Sequence, residues 1–476
     1  MSNNSKDNNV VTCNEMVSEI ASPKKHLGFT GKIGFVLAAA GSAVGLGNLW
    51  RFPYLTAQYG GGIFILCYAI LAILFGVTLL MLEIAIGRNT GKGVIGAFNK
   101  LNKKFKWFGY LCVIVPLIIV PYYCVIGGWV VKYAWSFITG AEGVAGGVVT
   151  PDTTGDFFVG FVISPLEPLL FFLIFALITV AIVVFGVQKG IEKISKILMP
   201  ALAIMAIFLM IYTFCQPGAL DGIVYTLIPD FSKFGFGTVL GALGQLFYSL
   251  SIGMCIMITY GSYMKKDVNI KSSSRQIAIF DSAFALIASL IIIPATFVTL
   301  GAGAEEALQS NGPSLMFIQL TNVFNHMAGG RIIGIIFFVL VLFAAITSSI
   351  SLVESIVAVL CEDKKMKRIT ACIIVFGAII VLGTLSSLGE GVLSGFKNIT
   401  SGLSILDTFD FIANNILIPI TAIITCVVAG WFIDKKIIHK EIGLTKKSST
   451  YFNVIIKYVA PICILVILVT GLFIKL

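Results

Sequence analysis

Residues 40–48 read Ala-Gly-Ser-Ala-Val-Gly-Leu-Gly-Asn, and they lie inside residues 33–50, an apolar stretch without a charged side chain. Glycine costs about 1 kcal/mol relative to alanine in a helix interior. Helix packing through small residues explains the four-residue spacing of Gly41 and Gly45, but it does not explain the additional Gly47. Irregular backbone survives inside a membrane only where it lines a polar cavity. The stretch therefore predicts a membrane helix that is broken near its centre.

The whole chain is apolar enough to need lipid as its main solvent. Of its 476 residues, 58% are hydrophobic and only 12% are charged, whereas about 25% are charged in a soluble domain. This composition excludes a soluble enzyme, a nucleic-acid-binding domain and a disordered scaffold. A membrane-spanning helix takes about 20 residues. Apolar stretches without Asp, Glu, Lys or Arg that approach or exceed this length are 33–50, 52–82, 107–131, 168–188, 197–220, 234–264, 282–304, 332–353, 369–389, 411–433 and 458–474. The sequence thus predicts an all-α membrane protein with eleven transmembrane helices.

The net charge of +10 is explained by membrane topology. Eleven spans place the two termini on opposite sides, and basic residues favour the cytoplasmic side. With a cytoplasmic N-terminus, all but six of the 33 Lys and Arg residues lie inside. We therefore expect a multi-pass protein of the cell (inner) membrane with an extracytoplasmic C-terminus, surrounded by a lipid bilayer. No nucleic-acid partner is expected, and no obligatory protein partner is evident.

The sixth apolar stretch is interrupted like the first. Residues 244–254 read Gly-Gln-Leu-Phe-Tyr-Ser-Leu-Ser-Ile-Gly-Met, with polar residues and glycine at the centre. Broken helices at corresponding positions, first and sixth, are typical of transporters built from two inverted five-helix repeats. The predicted organisation is a cytoplasmic tail at 1–28, a first repeat at 29–215, a second repeat at 216–434, and a cytoplasmic loop with an accessory eleventh helix at 435–476.

Several ionisable side chains lie inside or at the ends of predicted spans, where they are costly: Arg51, Glu83, Asp281 and Glu354. Each can be a hydrogen-bonded structural charge, or it can belong to a transport site. Hydroxyl groups at residues 347–349 and 351 can bond the preceding helical turn. Beside unwound helices, hydroxyl and carbonyl oxygens are also suitable ligands for small hard cations. A half-helix N-terminus in turn suits an anionic substrate group.

At these positions the chain resembles the neurotransmitter:sodium symporter family. The motifs that carry the resemblance cover essentially the whole chain: Ala39–Tyr54, Gly60–Gly62, Glu83–Arg88, Tyr122–Tyr123, Gln245–Gly253 and Thr347–Ser349. The resemblance implies a sodium-coupled amino-acid symporter of the bacterial branch, working by alternating access. Some bacterial relatives also have eleven helices. An enzyme is not expected, since the sequence shows no nucleophile–base pair.

The resemblance implies two sodium sites. The first uses the Ala43 carbonyl, the side chains of Asn48, Ser249 and Asp281, and the carboxylate of the substrate. The second uses the carbonyls of Gly41, Val44 and Ala344 and the hydroxyls of Thr347 and Ser348.

The resemblance also implies a substrate pocket between the two breaks. The substrate carboxylate meets the amides of Gly45, Leu46 and Gly47 and the hydroxyl of Tyr123. Further expected contacts are Ala43, Ile119, Tyr248, Ser249, Ser251, Met254, Ser348 and Leu352. No charged residue lies at the side-chain end, where it would be costly, so we expect a neutral, hydrophobic or aromatic L-amino acid. Tyrosine, leucine, methionine and phenylalanine all remain open.

Gates are implied on both sides of the pocket. Outside, Tyr123 and Tyr248 form a lid beneath an Arg51–Asp410 pair. Inside, Glu362 or Asp363 pairs with a base near Lys24, Lys25 or His26, steadied by Tyr263. Glu83 braces the unwound part of the sixth helix.

One departure from the family concerns Asp281, where many members have asparagine. Animal members use a chloride ion near this sodium site, and Tyr68, Gln245 and Ser249 keep the pattern of that site. A fixed carboxylate at position 281 supplies the same charge, so no chloride requirement is expected. Two alternatives remain: a proton-coupled amino-acid transporter of the same architecture, and a ligand-binding receptor on this fold.

Overall fold

A computed structural model describes residues 28–147, 149–309, 313–398 and 402–473. Within these ranges the chain is mainly helical, with two isolated β-bridges and no β-strand. The all-α prediction is confirmed. The predicted tail at 1–28 lies outside the described residues except for Gly28.

Nine described helices are long and apolar enough to cross a membrane, and each overlaps one predicted stretch. They are α3 (Gly62–Thr90), α5 (Lys103–Thr139), α7 (Glu167–Val184), α8 (Val187–Phe214), α12 (Ile270–Leu308), α14 (Gly330–Asp363), α15 (Arg368–Leu388), α16 (Ile405–Phe432) and α18 (Lys446–Leu472). The shorter helices are α1 (Lys32–Ala43), α2 (Leu46–Gln58), α4 (Val94–Leu101), α6 (Pro151–Ile163), α9 (Ala219–Leu227), α10 (Phe236–Ser249), α11 (Ile256–Ser262), α13 (Leu320–His326) and α17 (Lys435–Ile442).

The first predicted break is present. Helices α1 and α2 meet at Val44-Gly45 with a bend of 60°, and together they are long enough to make a tenth span. The first span therefore runs past the predicted boundary at residue 50. The turn into α3 follows at Gly60 and Gly61, whose φ values of 84° and 60° lie in the left-handed region that favours glycine.

The second predicted break is present as well. Helices α10 and α11 flank residues 250–255, six residues without α-helix. An eleventh span made of these two short helices, and the division into two inverted repeats, stay predictions.

The breaks lie near the most buried helices of the bundle. In the most apolar portion of each helix, the buried share is 72% in α5 and 67% in α14, against 28% in both α8 and α18. Apolar side chains that stay exposed in a membrane protein face lipid. Helices α5 and α14 therefore form the centre, and α8 and α18 lie at the periphery.

Candidate substrate and sodium sites

The first break releases carbonyl groups from the helical hydrogen-bond pattern. Helix α1 ends at Ala43, and both Val44 and Gly45 have extended backbone. The hydroxyl of Ser348 on α14 lies 3.3 Å from the carbonyl oxygens of both Gly41 and Val44, within hydrogen-bond distance of each. It also lies 3.2 Å from the carbonyl of Ser42. The first break and α14 thus meet at one cluster of oxygen atoms.

The cluster contains the predicted ligands of the second sodium site. Thr347 lies beside Ser348, and its hydroxyl is 3.0 Å from the carbonyl oxygen of Ala344. The backbone of Gly41 approaches so closely that an added Cβ would lie 3.0 Å from Cβ of Thr347. Carbonyl and hydroxyl oxygens without a basic group are the donor set that a hard monovalent cation prefers.

The second break is held by two polar contacts. Gly253 has φ 79°, and its amide donates to Oε1 of Glu83 at 2.8 Å. Thr421 donates from its hydroxyl to the Gly253 carbonyl at 2.8 Å. Glu83 thus contacts the second break, where the family resemblance places it. Ser251 and Cys255 also have positive φ, 54° and 66°, which is costly for residues with a Cβ and is typical of functional sites.

A buried cavity lies between the two breaks, and all twelve predicted substrate residues line it. Sequence reasoning did not assign Ser42 and Ile256 to this cavity, and it placed Asn48 only among sodium ligands. Ser42 directly precedes the predicted Ala43, and Ile256 lies two residues after the predicted Met254; this proximity in the sequence was the available signal. The lining residues are Ser42, Ala43, Gly45, Leu46, Gly47, Asn48, Ile119, Tyr123, Tyr248, Ser249, Ser251, Met254, Ile256, Ser348 and Leu352.

One end of the cavity suits a carboxylate. The N-terminus of α2 begins at Leu46, and the first amides of a helix have no partner within it. The buried hydroxyl of Tyr123 lies 3.3 Å from where a Cβ on Gly45 would be. Helix N-terminal amides and a phenol hydroxyl together favour a negatively charged group.

The other end is apolar. Ile119, Met254, Ile256 and Leu352 line it, and no charged side chain does so among the described residues. The ring of Tyr248 packs so closely on Gly47 that a Cβ there would lie 2.6 Å from Cε1 of the ring. This end can take an uncharged side chain.

Asp281 lies beside the cavity in a cluster of neutral hydrogen-bond donors. Its Oδ1 accepts from Asn48 Nδ2 at 2.8 Å and from the Ser249 hydroxyl at 2.5 Å. Its Oδ2 accepts from the Tyr68 hydroxyl at 2.6 Å. The carboxylate is fully buried, and no Lys or Arg of the described chain forms an ion pair with it. The structure thus brings together the three side chains predicted for the first sodium site.

The outer gate differs from the prediction. Both Arg51 and Asp410 are described, and no direct ion pair joins them. The Arg51 guanidinium instead lies 5.9 Å from the ring centre of Tyr248, while Asp410 accepts from Asn414 Nδ2 at 2.7 Å. The two groups thus contact different neighbours, although Arg51 still interacts electrostatically with Asp410.

On the inner side, Tyr263 contacts a carboxylate that was not predicted for the gate. The hydroxyl of Tyr263 donates to Oε1 of Glu354 at 2.8 Å, rather than to Glu362 or Asp363. Arg368, at the start of α15, donates to both oxygens of Glu354.

The two carboxylates predicted for the inner gate have other contacts. Glu362 accepts from the Gly93 amide at 2.5 Å, and the exposed Asp363 lies 3.4 Å from the Tyr110 hydroxyl. Their proposed basic partners, Lys24, Lys25 and His26, lie outside the described residues.

One buried carboxylate on the inner side, Glu192, was missed by sequence reasoning. Glu192 is buried and accepts from the Thr30 amide at 2.9 Å and from Lys196 at 2.6 Å. Next to it, Gln188 donates to the Gly28 carbonyl at 2.6 Å. These contacts fasten the segment before α1 to α8.

The comparisons with known proteins agree with this geometry. The model of the sodium:neurotransmitter symporter family matches residues 27–142 and 166–475. The chain belongs to this family.

Relatives within the family are similar along almost their whole length. A protein of Haemophilus influenzae, described as an uncharacterized sodium-dependent transporter, is 34% identical over 94% of this chain and 99% of its own. A sodium-dependent transporter of Bacillus subtilis, also uncharacterized, is 34% identical over 94% of this chain and 98% of its own. The crystal structure of MhsT in complex with L-phenylalanine matches with a TM-score of 0.83 and 37% identity, over 93% of this chain and 99% of that one. The protein is therefore a sodium-dependent membrane transporter of this family and not an enzyme.

Proposed function

We propose that this protein is a symporter that couples sodium entry to uptake of a neutral, hydrophobic or aromatic L-amino acid by alternating access, without a chloride requirement. The observation that carries the proposal is the cavity itself. It has a helix N-terminus and a phenol at one end, an uncharged apolar surface at the other, and oxygen-rich clusters on two sides. The L-phenylalanine in the MhsT complex supports the amino-acid class.

The two sodium ions would act on different parts of the site. At the first, Asp281, Asn48 and Ser249 supply oxygen atoms beside the pocket, and the substrate carboxylate completes the set. Sodium and amino acid then stabilise each other by charge, which makes their binding reciprocal. At the second, the ion links the first break to α14 through Ser348 and Thr347. An ion that bridges two elements shifts the population toward the arrangement in which both contact it.

Chloride independence rests on Asp281. The Tyr68 hydroxyl donates to this carboxylate at 2.6 Å, so a fixed anion lies where animal relatives are expected to need a mobile one. A second anion beside a buried carboxylate would be repelled.

We also propose the predicted topology: two inverted repeats, a cytoplasmic N-terminus and an extracytoplasmic C-terminus in the cell (inner) membrane. Fusion of a reporter enzyme to each terminus tests the orientation. Activity of a periplasm-dependent reporter at the N-terminus would contradict it.

The function is tested by a binding screen of the twenty amino acids with and without sodium, followed by uptake into proteoliposomes. We expect sodium-dependent binding of neutral hydrophobic or aromatic amino acids, and accumulation against a gradient driven by sodium alone. Uptake driven equally well by a proton gradient without sodium would favour a proton-coupled transporter. Binding without accumulation would favour a receptor.

A further inference from the structure

A groove of about 810 Å³ lies on the outside of the bundle, away from the substrate cavity. Its walls come from α3, α12 and α18, and they are mainly apolar. Ile73 and Ile279 on its two sides are 70% and 65% exposed. Exposed apolar side chains at this depth contact lipid, so the groove is open to the bilayer.

One end of the groove is basic. Lys271 and Arg275 are one helical turn apart on α12, so their side chains share a face, and both line the groove. Lys271 donates to the Gly443 carbonyl at 2.6 Å. Arg275 is exposed and has no hydrogen bond or ion pair among the described residues. No acidic side chain lines the groove to balance the two charges.

Two hydroxyl-bearing residues of α18 line the wall facing the basic pair. They are Ser448 and Tyr451, and Tyr451 donates from its hydroxyl to the Leu74 carbonyl at 2.9 Å. Leu74 belongs to Ala72–Gly76, a π-helical turn inside α3, and Leu74 is itself exposed. The groove is thus a shaped surface between three helices, and its two basic side chains lie together one helical turn apart on α12.

We propose that this groove binds one anionic phospholipid. The phosphodiester is held by the Arg275 guanidinium with help from Lys271, and one acyl chain lies between α3 and α12. A guanidinium matches phosphate oxygens in a bidentate way, and basic pockets between membrane helices bind anionic headgroups. A zwitterionic lipid carries its own cation, which competes with Arg275 for the phosphate. The groove therefore discriminates by headgroup charge.

The experiment uses the full-length protein purified in a neutral detergent. Native mass spectrometry follows the binding of phosphatidylglycerol and, separately, of phosphatidylcholine with identical acyl chains. We expect one retained phosphatidylglycerol per chain and at least about fivefold weaker binding of phosphatidylcholine, as expected for the loss of one favourable charge contact at a membrane surface. Equal affinity for the two lipids would overturn the proposal.

Three variants locate the site. Arg275→Gln should weaken the binding of phosphatidylglycerol by about fivefold or more and leave the binding of phosphatidylcholine unchanged. Lys193→Gln removes an exposed charge outside the groove and should change the binding of neither lipid. Ala283→Trp places an indole in the groove and should weaken both. Unchanged binding by the first or the third variant would show that the lipid lies elsewhere. Sodium-dependent amino-acid binding by each variant confirms that it is folded.

Discussion

Asp281 and Glu354 are both fully buried carboxylates within the helical bundle, but their partners differ. Glu354 is paired with Arg368 and accepts from Tyr263. Within the part of the chain that the structure describes, the Asp281 carboxylate accepts only from the neutral groups of Asn48, Ser249 and Tyr68. A buried charge without an opposite charge is costly. The charge of Glu354 is balanced by Arg368 of the protein, whereas the charge of Asp281 is left to be balanced by a bound cation.

The contrast separates a structural ion pair, at Glu354, from a candidate cation-binding site, at Asp281. A resident cation such as Arg368 makes Glu354 a link between α14 and α15 on the inner side. The neutral surroundings of Asp281 leave its negative charge available to a small cation. Substitutions at the two positions should therefore have different effects, one on transport and the other on stability.

The largest effect is expected for Asp281→Asn. The change removes the negative charge that the protein contributes to the proposed first sodium site, so uptake in chloride-free medium should fall by at least about 100-fold, which corresponds to roughly 2.7 kcal/mol. Addition of chloride should restore part of the activity, because a mobile anion can replace the lost charge. Proteoliposome uptake with chloride or gluconate as the anion measures both.

The exposed Asp267 offers a matched control, since it lies just before the same helix and outside the site. Asp267→Asn should keep wild-type uptake in both media. Unaltered chloride-free uptake by Asp281→Asn would falsify the role of this carboxylate.

Glu354→Gln should act mainly on stability. It leaves Arg368, only 26% exposed, without its carboxylate partner, and we expect the free energy of unfolding to fall by about 2 kcal/mol, below the full cost of breaking a deeply buried pair. The double variant with Arg368→Gln should recover part of this loss. Unfolding of the purified protein in a detergent titration gives all three values. A double variant less stable than the sum of the single changes would contradict the pairing.

Thr347→Val tests the site that has no carboxylate. The change keeps the shape of the side chain and removes one hydroxyl ligand, which should raise the half-saturating sodium concentration about tenfold. The affinity for the amino acid at saturating sodium should stay within about twofold of the wild-type value. Thr296→Val is the control, because Thr296 is buried and bonds its own helix at Ile292. Equal shifts in both variants would argue against a sodium ligand at position 347.

The smallest effect is expected for Asp363→Asn. This residue is exposed and its contact with Tyr110 is long, at 3.4 Å. Uptake should stay within about twofold of wild type, as for most surface substitutions. A larger loss of uptake would support a role of Asp363 in the inner gate that the family resemblance implies.

The breaks could be predicted because their signals are local. Glycine and polar residues concentrated at residues 40–48 and 244–254 are unfavourable for a continuous membrane helix wherever the chain folds. The cavity residues followed from the same two segments and from the family motifs. Helices α6 and α9 were not predicted, since a search for long charge-free stretches does not detect short helices that contain acidic residues.

The ion pairs and long-range hydrogen bonds of buried carboxylates could not be predicted, because packing determines their partners. Arg368 reaches Glu354 only because α15 begins beside the inner half of α14. Glu192 and Thr30 are 162 residues apart. Arg51 was expected to pair with Asp410, but it lies over the ring of Tyr248 and forms no direct ion pair with Asp410, both of which the structure describes. A buried carboxylate in the sequence signals that a partner exists without identifying it.

Asp281 is part of the protein and does not cross the membrane with the substrate, and this affects the net charge moved in each transport cycle. If two sodium ions enter with one zwitterionic amino acid, and the balancing anion stays with the protein, each cycle moves two positive charges across the membrane. A potential of 100 mV, negative inside, then supplies about 4.6 kcal/mol, or accumulation on the order of a thousandfold. A chloride ion crossing with the substrate would cancel one of these charges. Uptake should consequently respond steeply to an imposed potassium diffusion potential, and indifference to that potential would rule out this charge count.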